Sequence, residues 1–215
     1  MDQREKNNQI AESIERSKKI LILVSKEPTV DSFSAAAGLY HMLKEKEKAV
    51  DFIFGGLIPR ECEGLLGINE VKSTLDAKEL LVSIDYSTSP AAKAQYSTNN
   101  GVLLIKLSPI DKSFDISSVK SEIQGTGYDL IFTVGSHTTD DLGDIYNDLH
   151  SEFAKVKVVN IDIAENNSKY GFYNIIETSE PSISLVLLNT CRYWRLKVGQ
   201  HSAKALLKGI SHGMA

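Results

Sequence analysis

The stretch Lys19-Ile-Leu-Ile-Leu-Val24 is apolar at every position after the first and consists of leucine and β-branched residues. That is the composition of a strand covered on both faces. It runs into Ser25-Lys-Glu-Pro-Thr-Val-Asp31, a turn containing Pro28, and then into Ser34-Ala-Ala-Ala-Gly-Leu-Tyr-His-Met-Leu-Lys-Glu45, a helix whose small residues permit close packing on a sheet. Ala49-Val-Asp-Phe-Ile-Phe54 supplies a second strand, stopped by Gly55 and Gly56. Strand, helix and strand in that order require a crossover, hence a parallel sheet. The order resumes at Asp129-Leu-Ile-Phe-Thr-Val134. A helical stretch over 140–150 follows, its opening carboxylates suiting the helix dipole. Val156-Lys-Val-Val-Asn-Ile161 then gives another strand, ending at Asp162.

Upstream, Ile10 and Ile14 are spaced for a helix over 9–17. Downstream, residues 172–176 read as a short edge strand, Pro181 as the start of a helical turn, and 203–210 as a helix. The fold class is α/β: a Rossmann-like, mostly parallel sheet flanked by helices.

The middle of the chain behaves differently. A short helix is predicted over 58–66, near Pro59, with a minor strand at Val71. Leu80-Leu-Val-Ser-Ile84, residues 94–96 and Val102-Leu-Leu-Ile-Lys106 are short apolar runs, and Ser97-Thr-Asn-Asn-Gly101 between the last two is a hairpin signal. Residues 116–123 read as a short helix, before a break at Gln124-Gly-Thr-Gly127. Residues 1–215 therefore form a single domain with a β-rich insertion over 73–127.

With 215 residues, 42% hydrophobic and 24% charged, the chain can bury a core. The 24 basic and 28 acidic residues leave a net charge of −4, which argues against an extended nucleic-acid footprint. Cys62 and Cys191 lack any disulfide or zinc-binding spacing, so a reducing compartment is expected. The polar N-terminus and the shortness of the apolar run at 20–24 predict a soluble, cytoplasmic protein with no membrane partner.

In an open parallel sheet, ligands bind outside the carboxyl ends of the strands. Here those ends are residues 25–31, 135–139 and 162–167; Asp31 and Asp162 lie on two of them, and the third opens with Gly135. Clustered carboxylates at such ends would cradle a divalent metal, whereas loop aspartates also serve simply as caps. His137, Asp140 and Asp141 form a metal-like trio, set against the plainer reading that two aspartates before a helix cap it. Asp85 resembles a strand-end aspartate, with residues 87–89 behind it. His201 and His212 read as surface histidines, and Ser136 and Ser182 lack a histidine and acid in a recognisable arrangement. Arg192, Arg195 and Lys197, with Tyr193 and Trp194 between them, suit either a basic and aromatic binding face or a helix whose aromatic side packs on the sheet. Residues 44–48 are a solvated helix end. No phosphate-binding P-loop occurs, and Gly125-Thr-Gly127 precedes a strand rather than a helix, so the dinucleotide fingerprint fails on context.

The order of these motifs resembles the DHH phosphoesterase superfamily, which includes RecJ-type nucleases, nanoRNases and inorganic pyrophosphatases binding two manganese or magnesium ions. Ser25-Lys-Glu-Pro-Thr-Val-Asp31 is similar to the family's H-x-x-P-D-x-D: Pro28 and Asp31 match, Ser25 replaces the histidine and Thr29 an aspartate. The strand ending at Gly135 aligns with the second motif, where the family carries an aspartate ligand. Asp162-Ile-Ala-Glu-Asn-Asn-Ser-Lys-Tyr-Gly-Phe-Tyr-Asn174 resembles D-H-H-x-x-N-x-x-F-G-x-x-N: Asp162, Asn167, Gly171 and Asn174 match, Tyr170 keeps the aromatic, and both histidines have become Ile163 and Ala164. Gly209-Ile-Ser-His-Gly-Met-Ala215 falls where G-I-x-x-D-T-G is expected, without its aspartate, and the family's C-terminal DHHA1 substrate-binding domain is expected to be missing.

The resemblance implies remnant metal ligands at Asp31 and Asp162, substrate-binding roles for Asn167, Gly171 and Asn174, and no assigned catalytic residue. The function expected is a catalytically degenerate DHH-like phosphoesterase domain that binds a nucleotide or a protein partner. One alternative is a weak metal-dependent phosphoesterase acting on short oligonucleotides or nucleotides, holding manganese or magnesium at Asp31 and Asp162 with help from His137. The other is an interaction module that offers the hairpin around residues 99–101 to a partner or to a second copy in a homodimer.

Overall fold

The computed structural model describes residues 2–67, 69–75, 79–87, 93–108, 110, 114–124 and 127–214. The expected break at 124–127 and the stretch at 87–89 lie partly outside the described residues. In chain order the chain forms α1 (Gln3–Arg16), β1 (Lys19–Val24), α2 (Val30–Glu45), β2 (Ala49–Ile53) and β3 (Val71–Lys72). Four strands follow: β4 (Glu79–Ile84), β5 (Lys93–Asn99), β6 (Val102–Ser108) and β7 (Val119–Gln124). The remainder is β8 (Leu130–Val134), α3 (Asp144–Phe153), β9 (Lys157–Asp162), β10 (Tyr173–Ile176), α4 (Ile183–Thr190) and α5 (Gln200–Gly213). Two compact units result, one of residues 1–76 with 126–215 and the other of residues 77–125.

The first unit is built on a six-stranded sheet in the order β10, β9, β8, β1, β2, β3, and every adjacent pair is parallel. The α/β class read from the sequence is therefore observed, with a main sheet parallel throughout rather than mostly so. Successive strands go to opposite sides of β1, which puts the topological switch point between β1 and β8. Alternation along β1 sends Ile20, Ile22 and Val24 into one core, with side chains of α1, α2, α4 and α5. Leu21 and Leu23 enter the other core, with Ile145 and Leu149 of α3. Thr29 caps α2 by accepting from the Ser32 amide at 3.0 Å. The small residues of that helix bring α5 close: a β-carbon on Gly38 would stand 2.7 Å from Leu206 Cδ2.

Three local expectations are corrected. Residues 58–66 make only a 3₁₀ turn at Arg60–Cys62, because the chain bends at Gly64, whose φ is 76°. Residues 116–123 are not a helix: after a 3₁₀ turn over Ile116–Ser118, held by Asp115 accepting from the Ser117 amide, the chain extends as β7 and pairs antiparallel with β4. Cross-strand pairing outweighs a weak helical preference here. The stretch at 140–150 is helical from residue 144 onward, as α3, but its opening is a separate 3₁₀ turn, Thr139–Leu142, divided from α3 by Gly143 at φ 65°.

The second unit contains the β4–β7 pair and the antiparallel β5–β6 hairpin. Asn100 and Gly101 take φ 48° and 78°, the left-handed pair of a two-residue hairpin turn. Tyr96, Leu103, Leu104 and Ile105 are exposed on this hairpin. Among the described residues no helix is long and apolar enough to cross a membrane.

Candidate functional site

The carboxyl ends of β8 and β9 carry a connected set of buried polar groups. Asp162 closes β9 and is fully buried. Its Oδ1 accepts from the Ile163 amide at 2.8 Å and the Ala164 amide at 3.4 Å. Oδ2 accepts from Asn167 Nδ2 at 2.7 Å and lies 2.7 Å from His137 Nδ1. The His137 side chain is 47% exposed. With Nδ1 held by a carboxylate, Nε2 is the nitrogen left to meet a ligand, in the manner of a carboxylate-oriented imidazole.

Asn167 holds the loop after β9 against the loop after β8. Its Nδ2 also donates to the Ser136 carbonyl at 3.2 Å, and its Oδ1 accepts from Asn160 Nδ2 and from the Lys169 amide, both at 2.8 Å. Tyr170 donates its hydroxyl to Thr133 Oγ1 at 2.8 Å and to the Ser136 carbonyl at 3.3 Å. Burial pushes that phenol well above its ordinary pKa, and the charges of Asp162 and Asp141 add to the rise against the bond to Thr133. Asn174 accepts from the Gly171 amide at 3.0 Å and donates to the Gly171 carbonyl at 2.7 Å, closing a tight local turn. Ser136 Oγ and Asn160 Oδ1 are buried and, among the described residues, have no hydrogen-bond partner.

Asp31 makes a separate set of contacts. Its Oδ2 accepts from the Ile183 amide at 2.6 Å and its Oδ1 from the Ser184 amide at 3.1 Å, so it caps the first turn of α4. Burial raises its carboxyl pKa, opposed by the bonds from Ser184 and Ile183. A β-carbon on Gly209 would lie 2.7 Å from Asp31 Oδ1, so α5 seals the same group from the other side. At the end of β8, Gly135 has φ 65°, and a β-carbon there would run into Ser32 and stand 3.1 Å from Ile183 Cδ1.

The structure regroups the residues that sequence spacing had placed together. His137 pairs with Asp162, whereas Asp141 caps the turn by accepting from the Thr138 amide at 2.9 Å. Among the described residues no three His, Cys, Asp or Glu side chains cluster as a metal set. Trp194 is fully buried, its indole donating to Asn7 Oδ1 at 2.9 Å, whereas Tyr193 is exposed with the Arg192 guanidinium over its ring, so of the two aromatics in that stretch the indole alone packs inward. His201 lies beside His41, with ring centroids 5.3 Å apart, and His212 is exposed on α5. Asp85 belongs to the second unit. The sequence reading missed Asn160. Its signal was available: an amide inside the otherwise apolar run of β9.

No protein-family model matches this sequence. No curated protein matches it. Among solved structures, the chain is similar to an exopolyphosphatase-related protein from Bacteroides fragilis, at 15% identity and a TM-score of 0.66 over 98% of this chain and 50% of that one. This chain thus spans about half the length of that protein, and the likeness is one of fold.

Proposed function

We propose that this chain binds a phosphate-bearing ligand, a nucleotide or a related phosphate ester, at the carboxyl ends of β1, β8 and β9, without the two-metal hydrolytic centre of the DHH phosphoesterases. The observation that carries this reading is the Asp162–His137 bond: the buried carboxylate is spent on holding an imidazole whose other nitrogen faces outward. A protonated imidazole is a charge-assisted donor suited to a phosphate oxygen.

Two manganese or magnesium ions would need several free carboxylate oxygens. Both oxygens of Asp31 already accept amides of α4, and both oxygens of Asp162 accept donors of its own loop and of His137. Position 135 has no room for the missing aspartate. The donor set does not fit a two-metal centre.

Calorimetric titration with inorganic phosphate and with a nucleoside monophosphate tests the reading. Binding is expected to weaken about tenfold in His137→Ala, the loss of one charge-assisted hydrogen bond. Unchanged binding in that variant would refute it, as would strong manganese-dependent phosphodiester hydrolysis abolished in Asp162→Ala.

The same oriented imidazole favours one other reading, a slow phosphoesterase in which Nε2 takes the proton of an attacking water. Chelator-resistant hydrolysis lost in His137→Ala would select it.

A further inference from the structure

At the amino-terminal edge of the same sheet, away from His137, lies a cleft of about 770 Å³ between α1 and the segments that lead into β8, β9 and β10. Phe172, Tyr173, Lys157, Lys155, Arg16 and Asp129 line it. Tyr173 is buried, but Phe172 beside it is 65% exposed. The turn before it is tightly packed: a β-carbon on Gly171 would stand 2.7 Å from the Tyr173 carbonyl oxygen and 2.9 Å from Asn160 Cβ. Tyr173 meets Phe172 edge-on, centroids 4.8 Å apart at 81°, and the Lys157 ammonium lies 5.3 Å from the Phe172 centroid and 5.7 Å from that of Tyr173.

The charges facing the cleft are unequal. Of its acidic groups, Glu12 is 3.7 Å from Arg16 on the same helix, and Asp129 accepts from the Lys18 and Lys19 amides at 2.7 and 3.0 Å. Lys155 and Lys157 have no acidic partner among the described residues. An exposed aromatic face bordered by two such lysines suits a planar ring that carries an anion: the ring stacks and the ammonium groups take the charge. The volume falls within the range of small-molecule sites. We infer that this cleft is a second ligand site, separate from the carboxyl-end site, for an aromatic ring bearing a phosphate, the class of a nucleoside monophosphate.

The test is a titration of the full, ¹⁵N-labelled chain with adenosine monophosphate, followed amide by amide, with adenosine and inorganic phosphate as separate arms. The nucleotide is expected to shift the amides of residues 155–157 and 171–173, and each half alone to bind at least about tenfold more weakly. Phe172→Ala, a surface change, is expected to weaken the nucleotide about tenfold, the usual loss of one stacked base. Lys157→Gln should weaken nucleotide and phosphate but not adenosine. The titration repeated in His137→Ala separates the two sites: the 171–173 response is expected to persist there. The inference is overturned if the nucleotide moves only amides around His137, if Phe172→Ala binds it unchanged, if adenosine binds as tightly as the nucleotide, if no shift occurs at millimolar ligand, or if the 171–173 response disappears with His137.

Discussion

Replacing Asp162 with asparagine changes no side-chain volume but turns one of its acceptor oxygens into a donor. The best orientation leaves the new carbonyl oxygen towards the Ile163 and Ala164 amides, 2.8 and 3.4 Å from the present Oδ1. Its amide nitrogen then occupies the place of Oδ2, facing Asn167 Nδ2 and His137 Nδ1, each at 2.7 Å. The imidazole can present an unprotonated Nδ1 and accept. Asn167 has no such freedom: its Oδ1 already accepts from Asn160 and Lys169, so its buried Nδ2 keeps only the longer bond to the Ser136 carbonyl. The loss is one hydrogen bond to a charged acceptor, with a mispaired donor left behind, together about 3 kcal/mol. For a chain of this size that is a fall of roughly 6–12 °C in Tm.

His137→Ala removes only a half-exposed donor, and Asp162 retains its other partners. The expected cost is within about 1 kcal/mol, although ligand binding should weaken about tenfold. Urea unfolding followed by tryptophan fluorescence distinguishes the two variants. The single tryptophan, Trp194, is buried in the first unit and reports on that unit alone. Equal stability losses in Asp162→Asn and His137→Ala, or none in Asp162→Asn, would refute the view that Asp162 serves chiefly to order its own loop.

Three further outcomes can be checked on the same fluorescence signal. Gly135→Ala should cost about 3 kcal/mol, since the new β-carbon meets Ser32 in a left-handed backbone; Gly135→Asp, which places a carboxylate where the DHH pattern carries one, should unfold the unit rather than create manganese affinity. Asn7→Ala leaves the buried Trp194 indole N–H without its acceptor and should cost about 1–3 kcal/mol of unfolding free energy, read as a lower urea midpoint. Burial alone would raise the Asp51 carboxyl, but the hydrogen bonds from Lys72 and Tyr128 and the charge of Lys19 prevail and hold it below the ordinary 3.8. Its contribution is therefore full above that value and is lost as pH falls through the lowered folded value. Asp51→Asn should flatten the acid limb of a stability profile measured from pH 7 downward.

The strands of the main sheet were legible because they are buried on both faces and need no partner to declare themselves: Leu130–Val134 and Lys19–Val24 are apolar almost throughout. The hairpin was legible for a different reason, since Asn100 and Gly101 supply the two left-handed residues its turn requires. The stretches at 58–66 and 116–123 were misread because their conformation is decided by a glycine bend and by pairing with β4, neither of which leaves a local period. At the strand ends, Asp31 and Asp162 could be singled out by position; Asp162 binds the neighbouring Ile163 and Ala164 amides and Asn167, but other partners of the two carboxylates lie far along the chain. Asp31 binds amides 152 and 153 residues away, and His137 and Asp162 are separated by 25, so no local spacing could show the α4 cap or the imidazole.

That separation bears on how the motif matches are to be weighed. Asp162, Asn167, Gly171 and Asn174 agree with the family pattern, and in the structure they bind one another, Asn160 and the loop backbone. A match at these positions is thus explained by the geometry of one loop, whatever chemistry the loop supports. The group with an outward nitrogen is His137, which no matched motif contains, and its orientation depends on Asp162 being engaged as an acceptor. If the same carboxylate had to ligate a metal, it would give up bonds that fix its loop, whereas contact through the imidazole leaves them all in place. The arrangement accordingly favours recognition through His137 over ligation through Asp162.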